Sequence, residues 1–125
     1  MREPATEAAG TFLEHVVTLF NGGVRSGDFS HYLELFADDA VLEFDGIPDP
    51  PLAGRDAIAQ RYRDNPPDDQ IRIKRSKLEG ARIVAEFQWR DIPEASGGCF
   101  ILERRGEKIA HLTIAFGGPA TRCFR

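Results

Sequence analysis

No stretch of this chain is apolar over anything near the ~20 residues that a membrane-crossing helix requires, so no helical membrane span is expected. Positive charge is scarce as well. Sixteen Lys and Arg stand against 20 Asp and Glu, a formal net charge of −4. A nucleic-acid groove needs a basic stripe. The single basic cluster, Arg72, Lys74, Arg75 and Lys77, is flanked by Asp68, Asp69 and Glu79 and reads as a solvated strand face. Two cysteines, Cys99 and Cys123, do not make a disulfide framework. Three scattered histidines with those cysteines show no metal-ligand spacing; His31-x-x-Glu34 spans one helical turn, and a lone pair is too little for a site. No metal and no cofactor are therefore expected. There is no internal repeat. The first ten residues, MREPATEAAG, contain no apolar signal core, which sets the expectation of a cytoplasmic protein.

What is present is the composition of a soluble globular domain: 42% apolar and 29% charged in 125 residues. A chain of that length buries roughly two-thirds of the surface that it exposes unfolded, enough for one core. The expected core spans about 8–117 and the tail, 118–125, is loosely held.

Residues 5–25 read as a helix, with Phe12, Leu13, Val16, Val17, Leu19 and Phe20 on one broad apolar face. Asn21-Gly22-Gly23 weakens its end. Gly27-Asp28 is firmer punctuation, with Asp28 placed to cap a second helix over 29–37 that carries Tyr32, Leu33, Leu35 and Phe36. Asp38-Asp39 ends it, and a short strand follows at 40–45. Three prolines make 46–51 a loop. A third helix over 54–63, with Ala57, Ile58, Arg61 and Tyr62 on one side, stops at Asn65-Pro66-Pro67.

From Asp69 the period changes to two. Ile71 and Ile73 alternate with basic residues. Then come Ile83, Ala85, Phe87 and Trp89, then Phe100 and Leu102, then Ala110, Leu112, Ile114 and Phe116. Gly80, the stretch 93–98 and Gly106 separate the runs, so four strands form an antiparallel meander. Helices first and strands after is an α+β layout. Keeping both apolar faces inward calls for a three-residue connection over 105–107, which sets Phe100 opposite Leu112 and leaves Cys99 diagonal to His111 on the outer face. Ile109, His111, Thr113 and Ala115 then point outward.

Two segments, Gly27-Asp28 through Phe36-Ala37-Asp38-Asp39-Ala40-Val41-Leu42-Glu43-Phe44 and Gly54-Arg55-Asp56-Ala57-Ile58-Ala59-Gln60-Arg61-Tyr62-Arg63, resemble the SnoaL-like and ketosteroid-isomerase-like branch of the nuclear transport factor 2-like superfamily. The resemblance covers about 8–117. It implies a cone-shaped barrel in which three N-terminal helices pack on a curved, mostly antiparallel sheet around a pocket. The isomerase branch places a tyrosine near Phe20, an aspartate base at Phe44 and a protonated aspartic acid at Phe100. Phenylalanine can neither donate to an oxyanion nor move a proton. A supporting tyrosine of that branch matches Tyr62. Glu43 and Asp45 flank Phe44, and a one-residue slip in register would turn one of them inward.

The apolar faces then converge on Val16, Phe20, Phe44, Phe87, Trp89, Phe100, Leu102, Leu112, Ile114 and Phe116. These either fill the cone or line a cavity for a small hydrophobic molecule, polyketide-, steroid- or terpenoid-like by resemblance. Were the protein an isomerase, cyclase or lyase working by proton transfer, Glu43, Asp45 or Tyr62 would have to supply the acid or base. The alternative is a non-catalytic structural module, a homodimer joined through the convex sheet face that carries Cys99, Ile101, Ile109, His111, Thr113 and Ala115.

Overall fold

The computed structural model describes residues 4–91, 96–116 and 123. The first helix, α1, runs Pro4–Ser26 and buries Ala9, Phe12, Leu13 and Val16. It passes through Gly22-Gly23 because the ring of Phe29 lies against Gly23 so closely that a Cβ there would come within 2.3 Å of it. The helix ends at Gly27, whose φ of 81° suits the left-handed position after a helix and whose N–H donates to the Gly23 carbonyl. Asp28 accepts from the Ser30 N–H at 3.0 Å, opening α2 (Ser30–Leu33). That bond holds the Asp28 carboxyl below its usual value.

The expected helix over 29–37 is thus cut to one turn, and the expected strand start at 40 moves back to 36. The reason is pairing. The Leu35 carbonyl accepts from the Ile109 N–H and Phe36 lies beside Ile109, so the chain is drawn into the sheet directly after the turn. Strand β1 runs Phe36–Asp45. Asp38 and Asp39 end nothing; they lie exposed where its register with the neighbouring strand shifts, paired with Arg55 and Arg105. A two-residue strand, β2 (Leu52–Ala53), returns beside β1 at the close of the proline loop and was not foreseen. Helix α3 (Arg55–Asp64) follows and buries Ile58 and Tyr62.

The meander is β3 (Ile71–Glu79), β4 (Arg82–Trp89), β5 (Ser96–Arg105) and β6 (Lys108–Phe116). β6 then lies parallel to β1, giving one six-stranded, mostly antiparallel curved sheet in the order β2-β1-β6-β5-β4-β3. The fold is α+β, with the helices packed on that sheet. The sheet does not close into a full barrel; at its β3 edge the Asn21 side chain of α1 takes both backbone groups of Ile71, at 3.0 and 2.9 Å.

Register differs from expectation at the β5–β6 hairpin. Arg105 pairs with Lys108, Glu103 with His111, Leu102 with Leu112 and Phe100 with Ile114. A bulge at Ala110 of β6, opposite the step from Glu103 to Arg104 of β5, reverses the facing of β6 before it. Ile109 therefore enters the core with no exposed surface instead of pointing outward. Further along, β5 presents Gly98 opposite both Phe87 and Phe116. A Cβ on Gly98 would meet the Ala115 carbonyl at 2.0 Å, so no other residue fits.

Cys99 is bonded to Cys123, with Cα atoms 6.2 Å apart. It lies opposite Ala115, away from His111, so a cysteine–histidine pair does not form. The cytosol would keep two such thiols reduced. The expectation of a loosely held tail falls, Cys123 apart, outside the described residues. Among the described residues no helix is long and apolar enough to cross a membrane.

The disulfide closes a loop of sequence separation 24, worth about 3 kcal/mol by chain entropy. Cys123→Ser, which leaves the buried Cys99 site filled, is expected to lose about that much in urea unfolding. A reductant should destabilise the wild type and leave the variant unchanged; equal behaviour of the two would contradict this.

Candidate functional site

Between the concave sheet face, α1 and the end of α3 lies a cavity of about 320 Å³, at the small end of the range for ligand pockets. Nine of the ten residues expected to line it do so: Val16, Phe20, Phe44, Phe87, Trp89, Phe100, Leu112, Ile114 and Phe116. The tenth, Leu102, is fully buried in the core and does not border the cavity. The three phenylalanines that the resemblance sets at the isomerase branch's catalytic positions, Phe20, Phe44 and Phe100, all border the cavity.

The rings form two groups. Phe20, Phe29, Tyr32, Phe36 and Tyr62 pack edge to face or tilted, at centroid distances of 5.2–6.3 Å, and seal one end. At the other end Phe44 and Phe116 stack within 17° of parallel, and Phe116 lies within 8° of Trp89. Phe116 comes from β6 and Trp89 from β4. Gly98 of β5, which pairs with Phe116 on one side and Phe87 on the other, places no side chain between these strands. Phe116 is 38% exposed and stands at the opening.

Polar groups are few and localised. At the sealed end the hydroxyls of Tyr32 and Tyr62 lie 3.1 Å apart, both buried. Burial pushes the Tyr62 phenol up to about 12, against smaller opposing effects of the Tyr32 hydroxyl and the Arg61 charge. Burial also raises Tyr32 well above its usual value, and Tyr62 adds to it. Both are neutral phenols at physiological pH. Since one hydroxyl donates to the other, one O–H of the pair is left without a partner among the described residues, and both residues border the cavity. At the rim stand Arg61, Asn65, Pro66, Pro67 and Asp68. The Arg61 guanidinium rides over the Phe44 ring at 4.7 Å and donates to Asp49 at 2.8 Å.

Of the acid–base candidates, Tyr62 borders the cavity and Glu43 and Asp45 do not. Leu42 and Phe44 take the inner face of β1, so the intervening Glu43 takes the outer one. There it is hydrogen-bonded to His111, with Glu103 at 3.9 Å from the other ring nitrogen. Among the described residues no three His, Cys, Asp or Glu side chains converge as a metal site. Tyr32 and Arg61 were visible in the sequence as members of helical faces, but only the fold shows that those faces meet the cavity.

A model of the SnoaL-like domain matches residues 15–112. The chain belongs to the SnoaL-like family. Its structure resembles that of an NTF-2-like protein of unknown function from Burkholderia xenovorans LB400 (20% identity, 88% of this chain and 86% of that one, TM-score 0.67). It resembles an NTF2-like protein from Anabaena variabilis ATCC 29413 (16%, 96% of each, 0.68). A protein with a ketosteroid isomerase-like fold from Catenulispora acidiphila DSM 44928, solved with trimethylamine, is also similar (16%, 82% and 85%, 0.61). At these identities the likeness is one of fold. No curated protein matches the chain at a significant level.

The chain has two tyrosines, both in the buried pair. Each binds its proton more tightly folded than unfolded. Its contribution to stability is therefore complete below about pH 10 and is lost as pH rises through the folded value, about 12 for Tyr62. Absorbance at 295 nm should show no tyrosinate in the native protein at a pH where the urea-unfolded chain is half ionised. Native ionisation near pH 10 would refute a buried pair.

Proposed function

We propose that the cavity binds a small, largely apolar ring compound, polyketide-, steroid- or terpenoid-like in class, that carries an oxygen acceptor. The observation that carries this reading is the aromatic-walled space of about 320 Å³ with a buried phenol pair at its closed end. Aromatic walls favour flat apolar bodies. In a water-poor site an unshared phenol O–H favours a carbonyl or hydroxyl oxygen. What this lining offers to chemistry is electrophilic: a neutral donor that polarises a carbonyl. An isomerase, cyclase or lyase reaction here would use Tyr62 in that role, while Glu43 and Asp45 do not border the cavity and exchange no proton with a ligand inside it.

The convex face supports a second reading that is compatible with the first. Ile101 of β5 lies beside Thr113 of β6, both half-buried, next to the Glu43–His111–Glu103 row. A second copy of the chain could cover that patch in a homodimer. Sedimentation at tens of micromolar should then show a dimer, and a strict monomer removes the reading.

For the cavity, Trp89 is the chain's one tryptophan and stands in the wall, so its emission reports occupancy. 2-Acetylnaphthalene and its hydrocarbon counterpart 2-ethylnaphthalene should both change that emission. Tyr62→Phe should weaken the ketone about 5- to 10-fold, the worth of one net hydrogen bond, and leave the hydrocarbon within about two-fold. No response to any hydrophobic ring compound would count against a ligand cavity.

A further inference from the structure

Arg61 is the one cationic side chain among the described residues that border the cavity. It projects from the last turns of α3, and three features fix its head group. The Phe44 ring supports one face of the guanidinium, with 4.7 Å from its carbon to the ring centroid. Asp49, from the proline loop, accepts from Nη1 at 2.8 Å. The side chain is only 27% exposed, so the charge is partly withdrawn from water. A guanidinium has five N–H donors in a planar fork. Asp49 engages Nη1, and Nε and Nη2 have no hydrogen-bond partner among the described residues.

The placement within the cavity matters as much. The phenol pair marks the sealed end and Arg61 stands at the rim, while the stacked rings of Phe44, Phe116 and Trp89 contribute to the wall. A ligand lying along that wall with an oxygen toward the phenols would bring a second polar group to Arg61. A planar, partly desolvated fork with open donors matches a carboxylate or another planar oxyanion better than it matches a neutral oxygen.

We propose that Arg61 is a specificity-determining residue that selects ligands bearing an anionic group, a carboxylate above all, at the end that faces the rim of the cavity. This rests on the cavity reading above and adds the ligand's charge to it. Asp49 is the residue that holds the fork in place, bridging loop and helix whether or not a ligand is bound. Asp68 borders the same cavity with the opposite charge. It repels the ligand's anion and sets an upper limit to its affinity.

The test compares 2-naphthoate with its neutral methyl ester, each displacing N-phenyl-1-naphthylamine from the intact protein at low salt. Arg61→Met keeps an unbranched stem over Phe44 and removes the fork. It should weaken 2-naphthoate at least ten-fold and leave the ester within two-fold. Arg61→Lys should restore part of the loss, because it returns the charge without the fork, and Asp68→Asn should tighten 2-naphthoate several-fold with no effect on the ester. Should Arg61→Met misfold, Asp49→Asn provides the second route: it loosens the fork and should lower the preference for the acid over the ester. If Arg61→Met weakens acid and ester alike, or neither, Arg61 is a rim strut and the proposal falls while the cavity reading stands. If the wild type binds neither the ester nor the dye, both fall.

Discussion

One helix has to cover one face of a six-stranded sheet, and it is too narrow to do so. Strands about 4.8 Å apart make a sheet about 24 Å wide, whereas a helix with its side chains is about 10–12 Å across. Curvature brings the sheet's edges toward α1, and the Asn21 amide ties the β3 edge to it. The remaining mismatch is resolved differently at the two ends. At one end α2 and α3 insert Tyr32, Phe29 and Tyr62, which with Phe20 and Phe36 close the gap. At the other end no described residue is inserted in the same way, and the part of the concave face that the described residues leave uncovered is the cavity.

That asymmetry also sorts the polar groups. The closed end is dry enough to keep two phenols neutral well past their ordinary range. The open end retains a guanidinium and carboxylates, held by short contacts to loops and partly hydrated. Between them the wall is hydrocarbon and aromatic. A gradient of polarity along the axis of the cavity orients a ligand before any single contact does, since each end of an amphiphile has one favourable neighbourhood.

Legibility in the sequence followed how local each signal was. Strict alternation in β4, β5 and β6 identified Phe87, Phe100, Leu112, Ile114 and Phe116 as one face, because a strand's facing is decided by parity alone. Where parity breaks, the reading failed. The bulge at Ala110 turns Ile109 inward, and no propensity marks it. The segment Phe36–Asp39 was read as helix end and turn, yet it is strand, because β6, some 70 residues on, supplies its partner. Glu43 and Asp45 were candidates only on a register slip, and the register did not slip. Tyr32 and Arg61 were assigned to the correct helical faces, but what those faces touch is a tertiary fact. The bond between Cys99 and Cys123 depends likewise on proximity that spacing does not reveal.

The sheet's outermost long strand is β3, and its sequence, IRIKRSKLE, concentrates the basic residues Arg72, Lys74, Arg75 and Lys77. An open strand is a template for further strands, and a chain that keeps one must discourage copies of itself from adding to it. Two such edges brought together antiparallel would set cation against cation along most of their length. The cluster that reads in the sequence as a solvated strand face therefore has a colloidal consequence: it permits a sheet to stay unclosed, and its cavity to stay accessible, without inviting growth into fibrils.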